Sequence, residues 1–459
     1  MNRPLQHQLP YSKDCSRLFA VVSNEPWAML LDSCGLGGEL GRYDIIVARP
    51  HTTLITRGDS TEIYRHGSTT SSIDDPFTLL RQYLATDAVT NDLALPFCGG
   101  AVGYFGYDLS RRIENIDALA KDDLAIPEMV VGIYDWALVC DHQEQRCQLL
   151  SQGHDAATHT LWPQLVSMFE AATAGSFPAP DAPFSACGEV SANMTRDDYC
   201  AGFSRIQHYL EEGDCYQVNL AQRFSAAVSG SPWSGYLKLR SNNPAPFGAY
   251  LNTPFGQILS SSPERFLRLK GKQVETRPIK GTRPRCRDAI EDQAMVEQLT
   301  KSSKDRAENL MIVDLLRNDL GKCCRPGTIR VPQLFNVEHY ATVHHLVSVI
   351  EGELEQGKDA LTLLRSCFPG GSITGAPKLR AMEIIEELEP QRRGVYCGSI
   401  GYIGYDGNMD SNIAIRTALH QNGMFHFSAG GGIVRDSVCE DEYQECHDKA
   451  SGVLRIFDS

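Results

Sequence analysis

The sequence predicts a large globular architecture that mixes strands with helices, and three observations carry that reading. Residues 1–150 alternate and turn without long helical periods. After Asn193, capped helical patterns appear between strand-like runs. Hydrophobic residues make 42% of the 459-residue chain and charged residues 22%. That ordinary balance excludes collagen-like, low-complexity and largely disordered classes.

In chain order, residues 44–48 and 132–140 are apolar runs that read as buried strands. Residues 99–108, glycine-rich and aromatic, suit a strand where backbones approach closely. The stretch 172–192 carries Gly175, Pro178, Pro180 and Pro183 among serines and alanines. It reads either as a linker over 176–192 or as a long surface loop within one fold. As a linker it divides the chain into an N-terminal region, 1–175, and a C-terminal region, 193–459. Thr195–Asp198 then opens a helical pattern of Tyr199, Phe203, Ile206, Tyr209 and Leu210 that stops at Gly213. Strand-like 216–224 follows. Further helices are expected over 303–316, 377–388 and about 440–456, and no internal repeat of ~20–50 residues is found.

A net charge of −14 argues against non-specific binding to nucleic acid or anionic membranes. An anionic substrate would need local attraction from placed cations, backbone N–H groups or a metal ion. Fifteen cysteines, from Cys15 to Cys446, contain no C-x-x-C pair. A disulfide scaffold and a zinc ribbon are therefore both poor readings, and a reducing cytosol is expected. Residues 1–14 show no apolar signal core, and no apolar run reaches ~18 residues.

Two helical segments carry acidic residues at matching spacings. Asp305 and Glu308 lie three apart, and Glu442, Glu445 and Lys449 lie at i, i+3 and i+7. Carboxylates aimed from two helices at one point suit a hard cation such as Mg²⁺, although spacing alone also fits two solvated faces. Gly430-Gly431-Gly432 follows strand-like 425–427; its bare N–H groups could cradle a carboxylate or phosphate, or form only a tight turn. It is neither a G-x-G-x-x-G nor a Walker loop. A second glycine-rich stretch, 368–378, offers the hydroxyls of Ser372 and Thr374 to an anion, or merely caps the helix that Pro377 opens. Lys280, between Ile279 and Gly281, is either a surface lysine in a turn or a desolvated, nucleophilic amine. Glu264 is an acid/base candidate or only the neighbour of Arg265.

Four of these segments, in this order, resemble motifs of the chorismate-utilising enzymes: Pro278-Ile279-Lys280-Gly281-Thr282, Lys304-Asp305-Arg306-Ala307-Glu308-Asn309, Gly371-Ser372-Ile373-Thr374-Gly375-Ala376-Pro377-Lys378, and Ala429-Gly430-Gly431-Gly432-Ile433-Val434. Leu30-Leu31-Asp32-Ser33 and Gly103-Tyr104-Phe105-Gly106-Tyr107-Asp108 resemble the amidotransferase-linked branch. The resemblance implies an α+β fold of two interlocked parts, with antiparallel sheets packed face to face, helices outside and the substrate between. It implies Glu308 and Glu445 as Mg²⁺ ligands, with Asp305 and Glu442 supporting through water, and Lys449 as an anchoring cation. It further implies Arg416 on a chorismate carboxylate, a bidentate task that lysine would do poorly. Tyr396, His345 and Ser372 would be substrate contacts, and Gly430, Gly431 and Gly432 the carboxylate cradle.

Two positions bear on the branch. Isochorismate and salicylate synthases carry a water-activating lysine where this chain has Gln217, so water attack at C2 is disfavoured. Anthranilate synthases carry alanine where Lys280 stands. The resemblance thus implies amination of chorismate at C4, on the route to 4-aminobenzoate and folate, with Lys280 as nucleophile at C2 and Glu264 as general acid, later base. Anthranilate formation, and an inactive chorismate-binding regulatory subunit, are the alternatives. The Gly-x-Cys-x-Gly elbow of a glutaminase is missing, since Gly213-Asp214-Cys215-Tyr216-Gln217 lacks the second glycine. A separate glutamine amidotransferase partner that supplies ammonia is therefore expected. Asp32 and Ser33, with Tyr43, Asp44, Pro246 and Phe247, resemble the segments where anthranilate synthases bind tryptophan. A tryptophan pocket is implied there, beside the plainer reading of a core strand and turn.

Overall fold

The structure, a computed structural model, describes residues 3–84, 95–179, 181–340 and 343–458. Two large sheets, of 13 and 12 strands, carry the chain, and their strands pair antiparallel. Their apolar faces meet. Met29, Ile45 and Val139 of the 13-stranded sheet pack against Val102, Tyr104 and Val130 of the other. Burying each of these large apolar side chains contributes ~1.5–3 kcal/mol relative to exposure. Helices cover the outer faces, through Phe19, Phe169, Trp233 and Val453 on one side and Leu80, Ile312, Leu316 and Leu364 on the other. This is the α+β layering that the resemblance implied.

Each sheet takes strands from both sides of the 176–192 stretch. Met29–Asp32 pairs with Phe247–Thr253, and Gly100–Phe105 pairs with Ser399–Gly404. The stretch itself supplies two short strands, Ser185–Ala186 and Ser191–Ala192, that lie against Gln217–Ser229; Pro180 lies outside the described residues.

Local signals placed the helices well. Arg196–Glu212 starts at Thr195 with a reciprocal Thr195/Asp198 capping box and ends at Gly213, whose φ is 82°. Ser303–Gly321 is capped by Ser302 and runs five residues beyond the expected Leu316. Lys378–Leu388 begins one residue after Pro377, and Cys439–Leu454 closes the chain before a short 3₁₀ turn.

Three expectations need correction. The apolar run 132–140 is not continuous: it divides at Asp135 into Met129–Tyr134 of one sheet and Trp136–Asp141 of the other. Asp135 is buried and accepts from Ser151 Oγ (2.9 Å) and His154 N (2.7 Å), which satisfies the step between layers. A run buried on both faces has no alternation to mark that step. The glycine run, in turn, is no tight turn, because the strand Met424–Ile433 continues straight through it. Finally, one cysteine pair is bonded. Cys140 and Cys147 face each other across neighbouring strands, Cα–Cα 4.2 Å, and form a disulfide. Among the described residues, no helix is long and apolar enough to cross a membrane.

Candidate active site

Lys280 sits on Ile279–Pro284, at the edge of the 12-stranded sheet. Pairing with Val343–Glu353 slips between Ile279 and Thr282, and a bulge of this kind re-aims the side chain it carries. Gly281 permits it: φ is 82°, and a Cβ there would lie 2.8 Å from Leu299 Cδ1 and 3.0 Å from Asp305 Cγ. The Lys280 amine lies in a crowded hollow. Burial lowers its pKa against the pull of Glu308; Lys449 lowers it further, while Glu264 and Glu445 oppose.

Glu264 follows Gly256–Ser262 and is only 3% exposed. Burial pushes its carboxyl up to about 7, although the Ser372 hydroxyl and the Lys280 charge pull the other way. Ser372 Oγ donates to Glu264 Oε1 at 2.6 Å. Ser372 belongs to a 3₁₀ turn, Gly371–Ile373, held by Asn219 Nδ2 donating to the Ser372 carbonyl at 3.2 Å. Thr374 departs from its expected place. Its hydroxyl donates back to the Gly370 carbonyl at 3.0 Å, and the residue is fully buried, so it closes the loop instead of offering a contact.

His345 is 1% exposed, and its Nδ1 lies 2.9 Å from Thr282 Oγ1. Its Nε2 has no partner. Burial, helped by Arg416, holds its pKa down to about 3, so the imidazole is neutral. Arg416 has left-handed backbone, φ 50°, and among the described residues no carboxylate acts on its guanidinium. Burial depresses its pKa, opposed by Tyr340 alone. A guanidinium crowded by protein yet unpaired is an anion site in waiting. Tyr396 lies with its ring 5.9 Å from the Arg393 guanidinium. Gln217 is buried; its Nε2 donates to Asn219 Oδ1 at 3.0 Å and its Oε1 is unpartnered.

The glycine strand lies between Gln217–Ser229 and the C-terminal helix. Opposite residues alternate between bonded and non-bonded pairs in an antiparallel ladder. Gly430, opposite Ala221, turns its carbonyl to Lys449 Nζ at 3.0 Å; Gly432, two residues on, faces the same way. A Cβ on Gly430 would lie 2.3 Å from the Leu220 carbonyl. On Gly432 it would lie 2.7 Å from Gln217 Nε2, and on Gly431 3.0 Å from Glu442 Oε2 and 3.7 Å from Glu445 Oε1. Bare backbone therefore lets the sheet, Gln217 and the helix carboxylates converge.

Glu308 is half-buried, and no hydrogen bond or ion pair engages it among the described residues. Burial raises its pKa, while Lys280 and Lys304 act against and Glu442 and Asp305 add to it. Glu445 pairs with Lys449 at 2.7 Å; burial works to raise its pKa, but Lys449 outweighs that and holds it low. Glu442, 2% exposed, accepts from Lys304 Nζ (3.1 Å) and Ser437 Oγ (2.6 Å). Asp305 is engaged by Arg283 at 3.1 Å, so its carboxylate is less available than expected. Among the described residues the groups already within 4.8 Å of one another are elsewhere: Cys15–Cys140–Cys147 and Cys15–Asp44–His142. The donor chemistry of Glu308, Glu442 and Glu445 nonetheless fits a hard cation: Glu442 and Glu445 approach over Gly431, and Glu308 feels the charge of Glu442.

Sequence reasoning missed Lys304 and Asn219. Lys304 stands beside Asp305 in a quoted motif, and Asn219 shares the face of Gln217 by strand alternation, so both signals were present.

A separate cavity of about 230 Å³ lies between the sheets. Asp32, Tyr43, Pro246 and Phe247 line it, together with Arg265 and Tyr402. Ser33 and Asp44 do not line it. They bond to each other, with Ser33 N and Oγ each 2.7 Å from Asp44 Oδ1, and Asp44 also takes His142 Nε2 at 2.8 Å. Asp32 is held by Arg240 (2.6 Å) and Tyr236 (2.8 Å).

Comparison with known proteins identifies the family. The family model of chorismate binding enzymes matches residues 30–455. The chain is 49% identical over 439 residues, 95% of it and 94% of the relative, to aminodeoxychorismate synthase component 1 of Escherichia coli. It is 42% identical over 366 residues, 79% of it and 78% of the relative, to anthranilate synthase component 1 of Thermus thermophilus. The crystal structure of anthranilate synthase component I from Streptococcus pneumoniae superposes with a TM-score of 0.79 at 32% identity, covering 90% of this chain and 92% of that one. By fold, motif order and full-length likeness, the chain belongs to the chorismate binding enzymes.

Proposed function

We propose that this chain converts chorismate and ammonia to 4-amino-4-deoxychorismate, as the names of its full-length relatives describe. The observation that carries the reading is Lys280, an amine depressed by burial in the same hollow as Glu264 and Glu308. Chorismate brings two carboxylates. One would lie on Arg416, the other toward the backbone of Gly430 and Gly432, with Lys449 beside them. Neutral His345 would offer Nε2, and Tyr396 and Gln217 would border the ring.

The neutral Lys280 amine bonds to C2, both conjugated double bonds of the ring shift, C1=C2 to C1=C6 and C5=C6 to C4=C5, and the C4–O bond breaks as the hydroxyl takes the proton of Glu264. Ammonia then bonds to C4, both double bonds shift back, and the C2–N bond breaks to return Lys280. The surplus proton on the new amine goes to Glu264. Chorismate and ammonia thus become aminodeoxychorismate and water. A carboxyl whose pKa is near 7 can both give and take that proton at neutral pH. Ser372, at 2.6 Å, orients it. Glu308 and Glu445, backed by Glu442, would hold Mg²⁺. Bound there, the ion supplies positive charge to a substrate carboxylate.

The ammonia would come from a separate glutamine amidotransferase, since the relatives are called component 1. Cys215 fits a glutaminase nucleophile poorly: its segment lacks the second glycine of the elbow, and burial pushes its thiol up to about 11. The cavity between the sheets would take tryptophan; an unmoved melting temperature on adding tryptophan would remove that assignment.

Incubation with chorismate, ammonium and Mg²⁺, followed by mass spectrometry, tests the function. Aminodeoxychorismate retaining its enolpyruvyl group is expected. Anthranilate with pyruvate as the main product would sink the proposal, and glutamine-driven turnover by this chain alone would sink the partner.

A further inference from the structure

Cys200 lies in the helix Arg196–Glu212, and Cys439 is the first residue of the helix Cys439–Leu454 that carries Glu442, Glu445 and Lys449. Their sulfurs are 2.6 Å apart, closer than the ~3.5–4.0 Å at which unbonded heavy atoms rest. The two helices are fixed against each other on both sides of this contact. Arg196 pairs with Glu440, and the Tyr199 and Tyr443 rings meet edge-on at 5.3 Å. Bringing the sulfurs to bonding distance therefore asks for no movement of either helix. Both cysteines are only half-buried, so a small oxidant can reach them. The next thiol on the same helix, Cys446, is fully buried and donates to the Ala429 carbonyl at 3.0 Å, which removes it from competition.

We infer that Cys200 and Cys439 form an intramolecular disulfide in oxidised protein, a reversible modification that fastens the first turn of the carboxylate-bearing helix to its neighbour. With a small disulfide such as oxidised glutathione as the oxidant, one cysteine thiolate attacks a glutathione sulfur, forming a mixed disulfide and releasing one glutathione thiolate. The second cysteine thiolate then attacks the protein-bound sulfur and releases the other. Two protein thiols lose two electrons, and one glutathione disulfide becomes two thiols. The bond closes a loop across 239 residues of sequence, and a cross-link that spans so long a loop restricts the unfolded chain strongly. The inference stands on the helix contact and does not depend on which reaction the site performs.

The full chain, equilibrated with oxidised or reduced glutathione, blocked with an alkylating reagent and digested, should yield one peptide pair joined through Cys200 and Cys439 in the oxidised sample only. The melting temperature should rise by about 3 °C or more on oxidation. Cys200→Ser and Cys439→Ser should each lose that rise; both retain Cys140 and Cys147, so the comparison isolates this bond. Amide exchange over residues 439–446 should slow on oxidation. Recovery of Cys200 and Cys439 as separately alkylated or separately glutathionylated peptides overturns the inference, as does Cys439 joined to a different cysteine. A bond that forms while amide exchange stays unchanged overturns the fastening.

Discussion

Burial lowers the pKa of Lys280 and raises that of Glu264 to about 7, so two groups that would both be charged in water are drawn toward neutrality in one hollow. Lys280→Ala should cut aminodeoxychorismate formation about 100-fold or more, equivalent to ~2.7 kcal/mol of barrier, while chorismate affinity changes little. Mass spectrometry of the intact protein should trap an adduct in the parent and none in the variant; normal turnover would return Lys280 to an electrostatic role. The pH profile carries the second prediction, read at a fixed concentration of unprotonated ammonia. Below about 7 Glu264 keeps its proton, and the rate climbs with the neutral fraction of Lys280. Above about 7 Glu264 loses its proton, and the climb ends. Glu264→Gln should be slower throughout and lack the break near 7; a break that persists assigns it to another group. His345 adds no limb in this range, because its pKa lies near 3. Lys280 was singled out because one of four motifs in fixed order carries it, whereas Glu264 and Arg416 lie outside those motifs and rest on the wider resemblance. The turn of Thr374 onto Gly370 and the capture of Asp305 by Arg283 were not legible, since both depend on where a loop and an edge strand come to rest.

Among the elements, the strand Met424–Ile433 shows how a glycine run can serve a site without being a loop. Its three glycines meet different neighbours, which separates their predicted effects. A methyl group on Gly430 would press on strand backbone, 2.3 Å from the Leu220 carbonyl and 2.6 Å from Ala221 Cα, and backbone cannot yield cheaply. Gly430→Ala should cost roughly 1–3 kcal/mol of stability, seen as a lower denaturation midpoint. On Gly431 the methyl meets the far ends of two glutamate side chains, which can swing aside. Gly431→Ala should therefore leave stability nearly intact and raise the Mg²⁺ concentration needed for half-maximal activity several-fold. Equal stability losses in both variants would contradict this account of the strand. The run was read as a possible turn because glycine punctuates local structure more often than it continues a strand. Its extended course is set by ten residues of pairing with a partner some two hundred positions away. The capped helices were legible for the opposite reason: Thr195, Asp198 and Gly213 act within one or two turns of the residues they terminate.

At the scale of the whole molecule, the deciding contacts cross the sequence. The N-terminal strand Met29–Asp32 finds its partner at Phe247–Thr253, and Gly100–Phe105 finds one at Ser399–Gly404. Alternation in a strand reports which faces are buried but not which distant segment completes the ladder. The interlocked sheets thus came from ordered motifs rather than from periodicity. The same topology makes the division at 176–192 a boundary in sequence more than in stability. Residues 1–175 produced alone would present two unpaired ladders of backbone N–H and C=O groups. The apolar faces that meet Phe247–Thr253 and Ser399–Gly404 in the intact chain would be bare as well, a combination that favours association over folding. The fragment should elute as aggregate and melt without a cooperative transition, whereas the intact chain should unfold in one. Production of 1–175 together with 193–459 should restore a soluble complex, because each half supplies the missing ladders of the other. A monomeric 1–175 that melts cooperatively would show instead that the N-terminal strands pair among themselves well enough to form a domain, and that their union with the rest of the chain is a docking step.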